Sequence, residues 1–244
     1  MNISYGITVC NEALELQVLI KFLFPIINKE DEIVIVYDNN RVTGEVLDVI
    51  DHYSSKVNAY PFDFKQNFLE NKNYMNSKCK GDYIFQIDAD EIPSEVLVTN
   101  LKAILESNEV DVIEVPRKNI VKGLTEEHIA KWGWNVNEKG WVNWPDSQKR
   151  IYKNKPEIAW RGHQVHGMVT GYDSIAKLPL EEHFSIIHNK EVWRGPAFLY
   201  PLSKYRYDGI HWLSFKGMTI TFTIIALLFI LPKETKQKFV DFLP

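Results

Sequence analysis

The first half of the chain alternates short runs of strand-forming residues with segments of helical period, and few folds tolerate that alternation. Strands are expected at residues 3–9, 33–37, 57–60, 83–87 and 112–115. Between them, residues 13–24 read as a strongly apolar helix. The stretch "SEVLVTNLKAIL" places Leu97, Leu101, Ile104 and Leu105 on one helical face behind Ser94 as its cap. Strands joined through helices lie parallel, so the expectation is an α/β domain with a largely parallel sheet covered on both faces. At 244 residues the chain has room for one large domain, or one domain with an appendage.

The pattern then changes twice. From residue 123 to 160 the periodicity fails, and five of the seven tryptophans (Trp132, Trp134, Trp141, Trp144 and Trp160) fall in that interval. Long irregular segments in compact domains are usually functional loops, although a packed flap also employs tryptophan. Toward the end, "GMTITFTIIALLFILP" is almost uncharged and is followed by "KETKQK". The run is short for a span, which takes about 20 apolar residues. A buried core helix, an interfacial helix and a short anchor all remain open, with membrane association ahead of the core reading. The expected division is residues 1–195 as the α/β domain and 196–244 as a helical extension carrying the apolar segment 217–232.

Composition removes several classes of function. A net charge of −4, with no dense Lys/Arg block before the last twenty residues, gives no general attraction to a polyanion, so nucleic acid is not expected as a partner. Two cysteines, Cys10 and Cys79, sit at the ends of an expected strand and helix and make no disulfide framework. The opening "MNISYGITVCNE" reads as a strand and a helix start, not as a secretory leader. A cytoplasmic protein, with a tail able to meet the cytoplasmic face of a membrane, is the expectation.

The chemistry concentrates at strand ends. "GDYIFQIDADEIP" puts Asp88, Asp90 and Glu91 directly after a buried strand. In open parallel sheets, ligands bind beyond the carboxyl ends of the strands. Residues two apart on an extended segment face the same way, so Asp88 and Asp90 address one site. Crowded carboxylates repel unless a cation sits between them, and Mg²⁺ or Mn²⁺ shared with a substrate's phosphates resolves the conflict. A solvated acidic turn is the bland alternative, since Asp-x-Asp is a short motif. Two other strand ends match it: the first leaves Asn11 and Glu12, the second Asp38. Such groups suit ribose hydroxyls or base N–H groups. No Gly-rich phosphate loop is present, so a diphosphate held here calls for a metal.

With these residues in hand, the chain resembles the inverting glycosyltransferases of the GT-A fold, the family 2-like group that includes bacterial cell-surface polysaccharide and lipopolysaccharide sugar transferases. "ITVCNEALELQVLIKFL" looks like that family's opening strand, Asn-Glu pair and first helix. "NKNYMNSKCKGDYIFQIDADEIP" looks like its basic residue and Asn, short helix and Asp-x-Asp-Glu. The resemblance implies that Lys72, where Arg is more usual, and Asn73 contact the nucleotide diphosphate. It also implies that Asp90 binds the metal and that Asp88 contacts ribose or metal-bound water. "GWVNWPDSQKRIYKN" is similar to the family's acceptor-side segment and implies that Asp146, Gln148 and Arg150 lie near the acceptor. "RGHQVHGMVTGY" is similar to a Val-His-Glu segment, with Gly167 where Glu is common, and "LPLEEHFSIIHNK" implies His188 as a metal or diphosphate contact, with His183 its rival.

The activity so implied is metal-dependent transfer of a sugar, with inversion, from a nucleotide-diphosphate donor to a glycan or lipid-linked acceptor hydroxyl. Asp146 is the first candidate for general base and His166 the second. A salt bridge from Asp146 to Arg150 is the structural alternative for the former. A catalytically silent nucleotide-sugar binding module and a membrane-tethered interaction protein are the competing functions.

Overall fold

The computed structural model describes residues 1–164 and 167–191, all within the unit Met1–Gly195. The expected extension at 196–244, its apolar segment and His166 lie outside the described residues. The element order begins β1 (Ile3–Val9), α1 (Ala13–Leu23), β2 (Glu32–Asp38), α2 (Gly44–His52), β3 (Asn58–Phe62), α3 (Phe68–Lys78), β4 (Tyr83–Asp88), β5 (Glu91–Pro93), α4 (Glu95–Asn108) and β6 (Val112–Val115). It continues with β7 (Arg117–Lys122), α5 (Glu126–Trp132), β8 (Trp141–Val142), β9 (Gln148–Lys153), β10 (Ala159–Gly162), β11 (Gly167–Thr170), β12 (Ile175–Lys177), a 3₁₀ turn (Glu182–Phe184) and β13 (Ile186–Glu191).

Seven strands form the main sheet in the order β12-β6-β9-β4-β1-β2-β3. The β4-β1-β2-β3 portion is parallel, as is β12 with β6. β9 runs antiparallel between β4 and β6. Burial on both faces explains the near-continuous apolar runs of β1, β2 and β4. On one face, Ile33, Ile35, Phe85 and Ile87 meet the apolar stripes of α1 (Leu16, Leu19, Ile20, Leu23) and α4 (Leu97, Leu101, Leu105). On the other, Val34, Val36 and Ile84 join Met75 of α3. Gly6 in β1 makes room for that helix, because a Cβ there would lie 2.6 Å from the Met75 sulfur. The expected cap of α4 is present, with Ser94 Oγ accepting from the Leu97 N–H.

A second sheet, β5-β13-β7-β8, lies beyond the end of β4, and β10 and β11 form a separate hairpin. In the second sheet Glu91, His188 and Asn119 occupy paired positions on three adjacent strands. The irregular reading of residues 123–160 needs correction, because the interval holds α5, β8, β9 and the start of β10. β9 escapes a hydrophobicity reading because "QKRIYK" carries three basic residues, one of them buried in an ion pair. Among the described residues, no helix is long and apolar enough to cross a membrane.

Candidate active site

Parallel pairing of β4, β1 and β2 brings their carboxyl ends to one edge, with Thr8 opposite Asp88. At the first of these ends, Glu12 Oε2 accepts from the backbone N–H groups of Cys10 (2.9 Å) and Asn11 (3.0 Å), closing the turn into α1. Burial raises the proton affinity of the Glu12 carboxyl, and the charge of Asp90 adds to the effect. Asn11 is exposed on the same turn. Asp38 is buried at the end of β2, where Oδ1 accepts from the Asn40 N–H at 3.1 Å and Oδ2 lies 3.9 Å from Arg41 Nε.

β4 supplies the centre. Asp88 Oδ1 accepts from Thr8 Oγ1 (3.2 Å) and Gln86 Nε2 (2.8 Å) and lies 3.4 Å from Lys72 Nζ. Its Oδ2 accepts from Arg150 Nη2 at 2.9 Å. Burial alone would raise this carboxyl, but Lys72 and Arg150 together hold it well below the usual range. Lys72 extends from α3 beneath the indole of Trp160, 4.3 Å from the ring centroid, and burial pushes its ammonium below the usual lysine range against the pull of Asp88. Asn73, the next residue, has both ends of its amide on the Trp160 backbone, at 2.9 Å each, so it fastens β10 to α3.

Behind the turn lies an ion network. Glu91 is fully buried; its Oε1 accepts from Arg117 Nη1 (3.0 Å) and Arg150 Nη2 (2.6 Å), and its Oε2 from the Asp88 N–H (3.0 Å). Gln86 Oε1 accepts from Lys72 Nζ (3.3 Å) and from Arg150 Nη1. Arg150, only 2% exposed, therefore serves the carboxyl end of β4 and not Asp146. The partner of Asp146 is Arg117, whose Nε and Nη2 donate to Asp146 Oδ2 at 3.0 and 2.7 Å. Asn119 Nδ2 donates to the same oxygen at 2.7 Å, while Gln148 Nε2 donates to Oδ1 at 2.9 Å. Four donors thus hold Asp146 in a left-handed backbone conformation (φ 32°) that aspartate tolerates better than most residues. Its side chain keeps 26% of its surface exposed.

On the other side of the turn, Asp90 Oδ2 and His188 Nε2 stand 3.2 Å apart, and His188 Nδ1 lies 2.9 Å from Asn119 Oδ1. The contact with His188 lowers the Asp90 carboxyl against the upward push of burial. His183 pairs instead with exposed Glu181 at 2.6 Å. One carboxylate oxygen and one imidazole nitrogen suit a divalent ion that takes its remaining ligands from phosphates and water. Asp88 is committed to Lys72 and Arg150. Among the described residues no group of three His, Cys, Asp or Glu is arranged to hold a metal unaided. The donor set therefore fits an ion shared with a bound diphosphate, with Asp90 and His188 as the protein's share.

Of the residues singled out from sequence, the structure joins Lys72 to Asp88 and Asp90 to His188, and connects both pairs to Asp146 through side chains that the sequence did not flag. Those are Gln86, Arg117 and Asn119, which meet at Glu91 of the acidic turn or beside it. The available signal was the spacing of two in "QID" and "RKN", which puts Gln86 with Asp88, and Arg117 with Asn119, on one strand face each. Gly167 also has a local reason: a Cβ there would lie 1.9 Å from Leu69 Cδ2, so α3 fills the space a side chain would need.

Residues 4–191 match the sequence model of Glycosyl transferase family 2. Among solved structures, the chain is similar to residues 1–349 of S. aureus TarS, with a TM-score of 0.54 and 13% identity over 78% of this chain and 60% of that one. The same fragment in complex with UDP gives 0.53 at 13% identity, again over 78% and 60% of the two chains. A longer S. aureus TarS structure gives 0.53 at 14% identity over 78% of this chain and 37% of that one. The chain thus spans 60% of the length of the shorter TarS structures. No curated protein sequence matches it.

Proposed function

The chain belongs to Glycosyl transferase family 2 and has a GT-A-like α/β fold, and from that premise we propose that it transfers a sugar from a nucleoside-diphosphate donor to an acceptor hydroxyl with inversion. The observation that carries the reading is the pairing of Asp90 with His188 at 3.2 Å, at the carboxyl end of β4 and beside the Asp88–Lys72 pair. Support for a uridine nucleotide as the first donor to try comes from the S. aureus TarS fragment in complex with UDP. Glycan or lipid-linked hydroxyls are the proposed acceptors.

In this reading Glu12 and Asp38 hydrogen-bond the nucleoside, and Lys72 approaches the diphosphate. Asp90 and His188 would hold Mg²⁺ or Mn²⁺, which would supply positive charge where negative charge builds on the diphosphate. The acceptor oxygen attacks the anomeric carbon from the opposite face, the bond from that carbon to the diphosphate oxygen breaks, and the hydroxyl proton passes to Asp146 Oδ1. That oxygen has one donor from the described residues, Gln148, whereas Oδ2 has three. Arg117 aims Asp146 through its two hydrogen bonds to Oδ2.

The same saturation of Asp146 favours a second reading, in which it clasps the turn and the protein binds a nucleotide sugar without transferring it. Calorimetric titration with a panel of nucleoside diphosphates, with and without Mn²⁺ or Mg²⁺, followed by donor turnover, separates the two. Metal-dependent binding lost in Asp90→Ala, with turnover lost but binding kept in Asp146→Asn, supports the transferase. Binding without turnover in the wild type moves the conclusion to the silent module, and no binding of any nucleotide refutes both.

A further inference from the structure

We infer that Asn119 is a positioning residue that holds Nδ1–H of His188, so that Nε2 is the ring nitrogen left beside Asp90 for a divalent cation to take. The purpose assigned to the pair rests on the function proposed above; the control of the ring does not.

The chain of reasoning starts at the amide. Asn119 Nδ2 lies 2.7 Å from Asp146 Oδ2 and 3.2 Å from the Val142 carbonyl oxygen. Both neighbours only accept, so the nitrogen of the amide belongs there and its oxygen faces the other way. That oxygen is 2.9 Å from His188 Nδ1, and an amide oxygen cannot donate. Nδ1 must therefore carry a hydrogen. Nε2 faces Asp90 Oδ2 at 3.2 Å, and a carboxylate oxygen cannot donate either, so without a metal that contact needs a second proton on the ring, the arrangement in which His188 lowers the Asp90 carboxyl. With Nδ1–H held by Asn119, Nε2 is the nitrogen that can exchange its proton for a divalent cation.

Little freedom remains to undo this arrangement. His188 is 4% exposed, and Asn119 is its paired neighbour on β7, with Glu91 its paired neighbour on β5. The amide that sets the ring also holds Asp146, so one side chain aligns the cation pair with the carboxylate proposed to act on the acceptor. A metal-binding histidine commonly gives its second nitrogen to such a partner, and loss of the partner costs about 10- to 100-fold in metal affinity.

The test reads the ring directly. Long-range ¹H–¹⁵N NMR of the protein with Mg²⁺ and UDP should show His188 with its hydrogen on Nδ1 and none on Nε2. Asn119→Ala should move the hydrogen toward Nε2, donated to Asp90, and weaken Mn²⁺ binding measured by EPR with UDP present about 10- to 100-fold. Asn119→Asp retains an acceptor facing Nδ1 and should retain the wild-type tautomer even though it gives up the donor to Asp146, and circular dichroism of both variants guards against a folding defect. An Nε2–H ring in the wild type, or an alanine variant with unchanged tautomer and Mn²⁺ affinity, overturns the inference. A wild-type protein that shows Nδ1–H yet binds neither Mn²⁺ nor Mg²⁺ with UDP present removes the cation from the inference and from the proposed function together, and supports only the positioning of the ring.

Discussion

Glu91→Gln changes one oxygen to an amide nitrogen at a residue with no exposed surface. The wild-type carboxylate takes Arg117 Nη1, Arg150 Nη2 and the Asp88 N–H, all donors, and glutamine must turn its own N–H₂ toward at least one of them. Six charges share this region, Asp88, Glu91 and Asp146 against Lys72, Arg117 and Arg150, and the substitution leaves two negative groups facing three positive ones. Arg150 has a side chain only 3% exposed, so water cannot compensate. Removing one member of a buried pair costs about 3–5 kcal/mol. At about 2–4 °C per kcal/mol for a chain of this size, the thermal midpoint should fall by about 6–20 °C. Glu114→Gln is the matched control: its partner Lys177 is 74% exposed, and the loss there should stay below about 1 kcal/mol. Urea unfolding followed by circular dichroism measures both. Equal losses in the two variants would refute the claim that burial makes the Glu91 network the stabilising one.

Two further outcomes are expected. Asp111, hydrogen-bonded first by Lys153 at 3.0 Å and next by the Asp173 N–H at 3.0 Å, has its carboxyl held well below the usual range. A depressed carboxyl adds stability that is complete above its unfolded value, about 4, and is lost as pH falls through the lower folded value. The urea midpoint should therefore drop on acidification below about pH 4, and Asp111→Asn should flatten that part of the profile; an identical profile in the variant would contradict the assignment. Gly167→Ala should cost about 1 kcal/mol by pressing on Leu69, and the cost should vanish in a Leu69→Ala background; additive losses would show that the crowding lies elsewhere.

How much of this was legible in the sequence depended on what each strand faces. β1, β2, β4 and β6 are apolar on both sides, so their hydrophobic runs announced them within a residue or so of their ends. β7, β9 and β13 ("RKNIVK", "QKRIYK", "IIHNKE") carry the polar residues that line or support the site, and a reading based on hydrophobicity takes them for surface. The structural alternative for Asp146, a salt bridge to Arg150, failed for a related reason. A spacing of four brings side chains together on a helix, whereas residues 148–153 are extended, and Arg150 is carried off toward β4. Arg117, 29 residues before Asp146, could be found only once β7 was placed. The acidic turn itself was visible; the cations that surround it were not.

The separations along the chain bear on how such a site comes into being. Asp90 meets a histidine 98 residues later, Asp88 an arginine 62 residues later, and Glu91 one 59 residues later. During synthesis only Lys72 among these partners emerges before the three carboxylates, and the turn after β4 lacks Arg150 and His188 until β9 and β13 have arrived. Closing long loops precedes any gain from these contacts, and a topology of that kind folds slowly. Any fragment that stops before His188 keeps the acidic turn and loses the imidazole that faces it.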